Sequence, residues 1–440
     1  VIPLQERVHA APKPDDWQLD KLHQVFRVRH GNKNTGMKEG NLLSLSYGRI
    51  VQKDIETADG LLPENFEGYQ IVEPGNIVLR LTDLQNDKRS LRQGLATQRG
   101  IITSAYDAVE VQRDNDPRFW FYSLLALDLA KHYYSMGGGV RQSVKFADFP
   151  NDWVYRPNLT IQRQIADFLD RETERIDLLI EKKQRLVALL GERLAHLVRN
   201  LITRGTTNNP ELVQTDLYWC PLLPKNWQVR KGFHIGRLVG STSGEETEDG
   251  GEAAVPYIKV ADLNACDGDR LVSTKAMFRP QSAFRPQPKD FLVFPKRGAA
   301  IFTNKVAIAP ANSAIDPNLM GWVIFAGYEP EYFMWVLKTR TLDNLADVST
   351  VPQINNKHIY PERFPVPPTE EQKEIVEEIA RVRSLSFAIT ERNQLSIDRL
   401  KEYRSALITA AVTGQIDVSI YAKSGTPNRR LDAIQEEMGV

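Results

Sequence analysis

The sequence predicts an α+β chain in which two similar globular domains are separated by two long helices forming an antiparallel coiled-coil spacer, a pseudo-twofold internal repeat. Three observations predict it. The first is duplication: Pro14 and Trp17 recur 210 residues on as Pro224 and Trp227, and Pro157, Gln162 and Ile165 recur at the same offset as Pro367, Gln372 and Ile375. The second is that the region after each Pro-x-x-Trp alternates short β-rich runs with turn residues. The third is an abrupt change, after each such region, to an apolar period of three and four with charges between.

The expected boundaries are a globular domain over 1–158, a long helix over 159–205, a linker and second globular domain over 206–366, a second long helix over 367–418 and a polar tail over 419–440. In the first domain the β-rich runs are 42–47, 70–72, 77–81 and 100–104, punctuated by Gly, Pro, Asn and Asp. A helical stretch, 117–134, ends at the glycines 137–139. The second domain repeats the plan with runs at 255–260, 291–294 and 306–309 and a helix over 331–339. Segment 206–223 reads as a polar connection, and 430–438 as a short helical candidate in a frayed tail.

The long helices follow from their stripes. In the first, Ile165, Leu169, Ile176, Leu179, Leu186 and Leu190 keep steps of three, four or seven; in the second, Ile375, Ile379, Val382, Ile389, Ile397, Leu400, Tyr403 and Leu407 mostly do the same, interrupted by Asn393. Thr160 and Thr369 are the expected N-caps, and Gly205 and Gly414 the expected left-handed C-terminal positions. A helix of about 42 residues is roughly 60 Å long, too long to hide its stripe in one small domain. The simplest partner for each stripe is the other; separate packing on each helix's own domain is the alternative.

Composition bounds the chemistry. The chain has 440 residues with 56 basic against 56 acidic, so nucleic-acid binding requires local patches rather than a basic coat. Two cysteines give neither a disulfide framework nor a metal-ligand pair, which fits a reducing cytosolic compartment. No apolar run approaches the roughly 18 to 20 residues of a membrane span, and no signal pattern opens the chain. The first methionine is Met37, so Val1 is not expected to be the native start. No Gly-x-Gly-x-x-Gly follows a strand, and the nearest phosphate-loop lookalike, 31–38, has Met37 in place of the lysine. Seven histidines are scattered, no Asn-Pro-Pro-aromatic segment is present, and Glu181 and Lys183 read as solvated mid-helix charges. The pattern is that of a binder.

Basic residues concentrate in two loops at matching places. Arg80, Lys88, Arg89, Arg92 and Arg99 face only Asp83 and Asp87 in the first domain; Lys289, Lys296, Arg297 and Lys305 face Asp290 in the second. Such groups pair with phosphates, and an Arg fork reads guanine in the major groove. A polar segment also precedes each long helix: Arg141, Gln142, Ser143 and Lys145, then Thr350, Gln353, Asn355, Asn356 and Lys357. Amide side chains bond adenine bidentately. A solvated loop bonding its own backbone is the plain alternative for either feature.

The duplication, the Pro-x-x-Trp openings and the second helix end, running from Tyr403 through Ala406, Leu407, Ile408, Thr409, Val412 and Gly414 to Asp417, resemble the specificity subunit of type I restriction-modification systems over residues 12–418. The first helix end, Leu201, Ile202, Thr203, Arg204 and Gly205, departs from that fuller ending. The resemblance implies two target-recognition domains, each reading one half of a bipartite asymmetric site in double-stranded DNA, with the helices as a ruler for the unread spacer. It implies as partners two modification subunits carrying S-adenosylmethionine and two restriction subunits using ATP and Mg, with no cofactor, metal or catalysis on this cytoplasmic chain. A fused DNA-modifying enzyme and a coiled-coil scaffold with protein-binding modules are the rival readings; methyl transfer or cleavage by the purified chain marks the first, and absence of salt-dependent DNA affinity the second.

Overall fold

The computed structural model describes residues 3–8, 14–54, 65–84, 91–136, 143–241, 244–247, 254–264, 266, 274–280, 285–347 and 351–418. The candidate tail helix lies outside them. The chain divides into two compact units, one made of 1–185 with 392–440 and the other of 186–391. Each has mixed helix and sheet, an α+β fold, and each contains a stretch of both long helices. None of the described helices is long and apolar enough to cross a membrane.

The central sheet of the first unit has the spatial order Phe26–Val28, Asp107–Val111, Ile77–Leu79, Gln93–Leu95, all antiparallel. That of the second is Gly236–Val239, Leu319–Ile324, Phe291–Pro295, Ala307–Ala309, again all antiparallel. In both, one strand is an uninterrupted apolar run, Ile77–Leu79 or Phe291–Pro295, because both of its faces are covered. A two-stranded ribbon closes each module, pairing Gln18–Lys21 with Trp153–Arg156 and Gln228–Lys231 with Arg363–Val366. Each module also carries one buried helix, Pro117–Leu129 or Pro330–Arg340, opened by a proline where no helical N–H partner is needed. The units differ in their additions: two separate hairpin-like pairs in the first, and in the second a four-stranded sheet ending in a parallel pair, Val255–Ile258 with Ala314–Ile315.

The long helices run Leu159–Arg204 and Thr369–Val412. In the first unit, Ile165, Leu169 and Ile176 share one core with Leu400, Leu407, Ile408 and Val412, and Asp177 bonds Arg404 at 2.9 Å. In the second, Val198 and Ile202 share a core with Ile375 and Ile379. The repeated glutamine explains why its spacing from proline recurs. Gln162 donates to Pro157 O (2.8 Å) and accepts from Asp116 N–H (2.9 Å); Gln372 donates to Pro367 O (2.8 Å) and accepts from Glu329 N–H (2.9 Å). Both are buried, and both tie the start of a long helix to the start of the module's own helix.

The expected left-handed glycines are present, Gly205 at φ 75° and Gly414 at φ 74°. A Cβ on Gly414 would meet Pro14 Cγ at 2.4 Å and Trp17 at 3.3 Å, and one on Gly205 would meet Glu371 Oε1 at 2.3 Å and Trp227 at 3.1 Å. The Pro-x-x-Trp of each module is thus a seat for a helix end. Trp227 Nε1 also donates to Glu371 at 3.0 Å.

Several expectations are corrected. Asn158, not Thr160, caps the first helix, accepting from Ile161 N–H at 3.0 Å. Thr369 is the first helical residue, and its hydroxyl donates to Gly327 O (2.7 Å) instead of capping. Leu186 is 39% exposed, and the stripe passes instead through Lys183, which is buried with its pKa lowered by that burial. Leu190, Val382 and Ile389 are half-buried. Segment 206–223 is no plain connection: Leu212–Gln214 pairs with Leu222–Pro224, and Leu217, Trp219 and Cys220 join the second unit's core.

Candidate nucleic-acid interface

In the second unit the strand Phe291–Pro295 delivers Lys296 and Arg297 beyond its buried run. The polar segment before the long helix returns beside them. Ile354 N–H donates to Lys296 O (2.9 Å), Gly298 N–H donates to Pro352 O (3.0 Å), and Arg297 faces Gln353 in an antiparallel bridge. Gly298, at φ 72°, makes the turn that follows, a conformation that disfavours any side chain. The two features singled out separately in the sequence therefore form one surface.

A latch holds that surface. Asn355 N–H donates to His358 Nδ1 (2.9 Å), which leaves Nε2–H to donate to Asp347 Oδ1 (3.0 Å). Lys357 Nζ meets the other carboxylate oxygen at 3.0 Å, and Asp347 N–H donates to Gln353 O at 3.0 Å. The Lys357 bond first, then His358, keeps the Asp347 carboxyl below the ordinary range. Lys296 is half-buried; burial, then the Arg297 charge, lowers its pKa against the opposing pull of Asp316. Arg297, Asn355, Asn356 and Lys357 are exposed, and Gln353 is half-buried. Lys305 is drawn away to Asn264.

The first unit has the same junction. Val144 N–H donates to Leu81 O (2.8 Å) beyond the strand Ile77–Leu79, and Lys145 N–H donates to Asp148 Oδ2 (2.8 Å), where Asp148 takes the place of His358. Lys145 is exposed, and Arg80 is half-buried with its guanidinium 6.0 Å from the Tyr106 ring centre. Lys88, Arg89, Arg141 and Gln142 lie outside the described residues.

Besides Lys305 and Lys357, two further expected contact residues are otherwise engaged. Arg92 is fully buried: its guanidinium donates to Thr82 O (3.1 Å) and Tyr134 Oη (3.2 Å), and its N–H donates to Asp128 (2.7 Å). It braces the base of the loop and does not face a ligand. Arg99 is held by Glu39 (3.0 Å) and Glu73 (2.6 Å). Glu39, which accepts the Asn41 N–H and pairs with Arg99, stays below the usual carboxylate range. Sequence reasoning missed the Asp347–His358 latch; aligning His358 on Asp148 across the 210-residue repeat is the signal that finds it. Among the described residues no cluster of three His, Cys, Asp or Glu could hold a metal. What the surface offers is cations, amides and backbone N–H groups.

The family model of the type I restriction modification DNA specificity domain matches residues 224–399, the second module and most of its helix. The fold is similar to that of a chain solved in work on complex assembly and conformational transition of the type I R-M system: 14% identity, 92% of this chain and 100% of that one covered, TM-score 0.69. It is similar also to the HsdS subunit from Thermoanaerobacter tengcongensis, at 16% identity over 93% of this chain and 99% of that one, TM-score 0.55. No curated protein matches. Through residues 224–399, and in its fold, the chain is similar to the specificity subunit of type I restriction-modification systems.

Proposed function

We propose that each module reads one half of a bipartite, asymmetric site in double-stranded DNA, and that the two long helices, paired antiparallel, fix the unread spacer. The observation that carries this is the repeated junction. In both modules a strand end and the returning polar segment are joined by the same backbone bond, Val144 to Leu81 and Ile354 to Lys296, and a two-stranded edge of this kind fits the roughly 12 Å major groove. The ruler is supported by helices of 46 and 44 residues, and by cores that combine the early part of one helix with the late part of the other.

The chemistry on this reading belongs to partners: two modification subunits that bring S-adenosylmethionine, and two restriction subunits that use ATP, with this chain non-catalytic, binding no cofactor and working in the cytoplasm. Exposed apolar residues on the long helices, Leu186, Leu189, Leu385 and Phe387, are the surface we assign to the modification subunits. The test is to map methylated adenines in DNA from cells making this chain with its cognate modification subunit. A two-part site with a fixed gap is expected; an undivided site overturns the reading. Inserting one heptad into both helices, after Leu186 and near Ile397, adds about 10 Å of helix, or roughly three base pairs at 3.4 Å each. Unchanged half-sites around a gap longer by about two to four pairs are expected; a parental gap from an active insertion refutes the ruler.

A further inference from the structure

We propose that Arg297 and Gln353 act as a paired base reader in the second module, Arg297 on a guanine and Gln353 on an adenine of the neighbouring base pair. This rests on the reading of the module as DNA-binding and goes beyond it by naming which side chains read and what they read.

The argument begins with backbone bonds. Arg297 and Gln353 are bridge partners, and the bonds that frame them run from Ile354 N–H to Lys296 O and from Gly298 N–H to Pro352 O. That is the pattern of a non-hydrogen-bonded antiparallel pair, in which the two Cα atoms are about 4.5 Å apart and both side chains leave the same face. A guanidinium and a carboxamide therefore start side by side, at a spacing close to the 3.4 Å rise of stacked base pairs.

Neither side chain bonds another of the described residues. Among the described residues no carboxylate, carbonyl or ring engages the Arg297 guanidinium, and the Gln353 amide bonds no neighbour, whereas nearby Lys357, Lys305 and His358 each have a partner. The segment that carries Gln353 is pinned on both flanks, by Gln353 O to Asp347 N–H and by Asn355 N–H to His358, so the pair is presented on a fixed edge. An Arg fork matches guanine O6 and N7, and a carboxamide matches adenine N6 and N7. Lys296 is next to Arg297 in the chain, half-buried and suited to a phosphate beside the pair read.

The first module lacks the pair. The shared bond, Val144 to Leu81 as Ile354 to Lys296, puts Thr82 and Ser143 at the places of Arg297 and Gln353. Hydroxyls discriminate bases weakly, so the half-site read by the first module draws its specificity from elsewhere.

The experiment uses the full chain in complex with its modification subunit, on duplexes in which each base pair of the mapped site is varied, with salt titrations. R297A is expected to weaken binding about 5-fold to 100-fold at one G·C pair of the second module's half-site and to relax selectivity there, and Q353A to do the same at the adjacent A·T pair. R297K should keep non-specific affinity but weaken the guanine preference, since an ammonium lacks the planar fork; thermal unfolding of all three variants should match the parent. Weakening that is uniform across sequences with a shallower salt slope overturns the proposal in favour of phosphate contacts. Selectivity unchanged by R297A and Q353A overturns the pair alone, whereas a parent complex with no sequence-selective binding overturns the DNA reading and the pair with it.

Discussion

The two modules agree where they are buried and disagree where they are exposed. Gln162 and Gln372 make the same two bonds at the same lengths, and Gly414 and Gly205 seat helix ends on Trp17 and Trp227. At the junction they part: Thr82 and Ser143 stand where the second module has Arg297 and Gln353, and Asp148 where it has His358. Duplication therefore preserved the positions whose loss leaves a buried polar group unpaired, and let the junction positions diverge.

The sharpest way to break this comparison is at the glutamines. Gln162→Leu and Gln372→Leu each strand two or more buried backbone groups, so each should cost about 2 to 5 kcal/mol in its own unit. Urea unfolding combined with hydrogen exchange reports the units separately; a cost confined to one unit means that the frames are not equivalent. Next in size, Arg92→Ala should cost about 3 kcal/mol in the first unit by removing a buried, multiply bonded guanidinium, whereas Arg297→Ala should stay within about 0.5 kcal/mol in the second. Equal effects would show that the two arginines play one role after all. Gly205→Ala and Gly414→Ala should each cost about 1 to 3 kcal/mol, through positive φ and a Cβ against Glu371 or Pro14. Differential calorimetry showing no loss for either would remove the seat from the frame.

The smallest effect is one of pH. Because burial and then Arg297 lower the pKa of Lys296, its charged form is disfavoured in the folded protein, and that penalty on stability fades as pH rises through the lowered value. A phosphate at Lys296 would favour the charged form, so DNA binding should take up protons at alkaline pH. Affinity should then fall as pH rises from the lowered value toward about 10.4, by less than about tenfold per pH unit. Lys296→Arg should abolish the trend. An identical pH profile in parent and variant would place Lys296 away from phosphate.

How much of this was legible depended on whether a residue's role is set locally. The strand at 70–72 and both C-terminal glycines follow from local pattern and appear where expected; the helix expected over 117–134 starts at Pro117 but ends at Leu129, with a separate turn over His132–Ser135. Arg92 did not, because a cluster of basic residues does not say which one turns inward; only Asp128, Thr82 and Tyr134, brought together by the fold, decide it. Leu186 lies off the buried face because the position that continues the stripe is occupied by Lys183, whose charge hides its burial from an apolar pattern. The joining of Arg297 to Gln353 was out of reach for a related reason: each loop was visible alone, but a bridge between residues 56 positions apart is a property of topology.

The composition of the first unit has a consequence for synthesis. Its core includes Leu400, Leu407, Ile408, Ala411 and Val412, and Gly414 lies against Trp17. A ribosome thus delivers the whole of 186–391, enough for the second unit, before the first has the residues that complete it. A nascent chain stalled near residue 391 would carry one finished module and one with Ile165, Leu169 and Ile176 unshielded on its helix. The module made first is the one finished last, and a message cut short would yield a half-finished chain exposing apolar surface to chaperones and proteases.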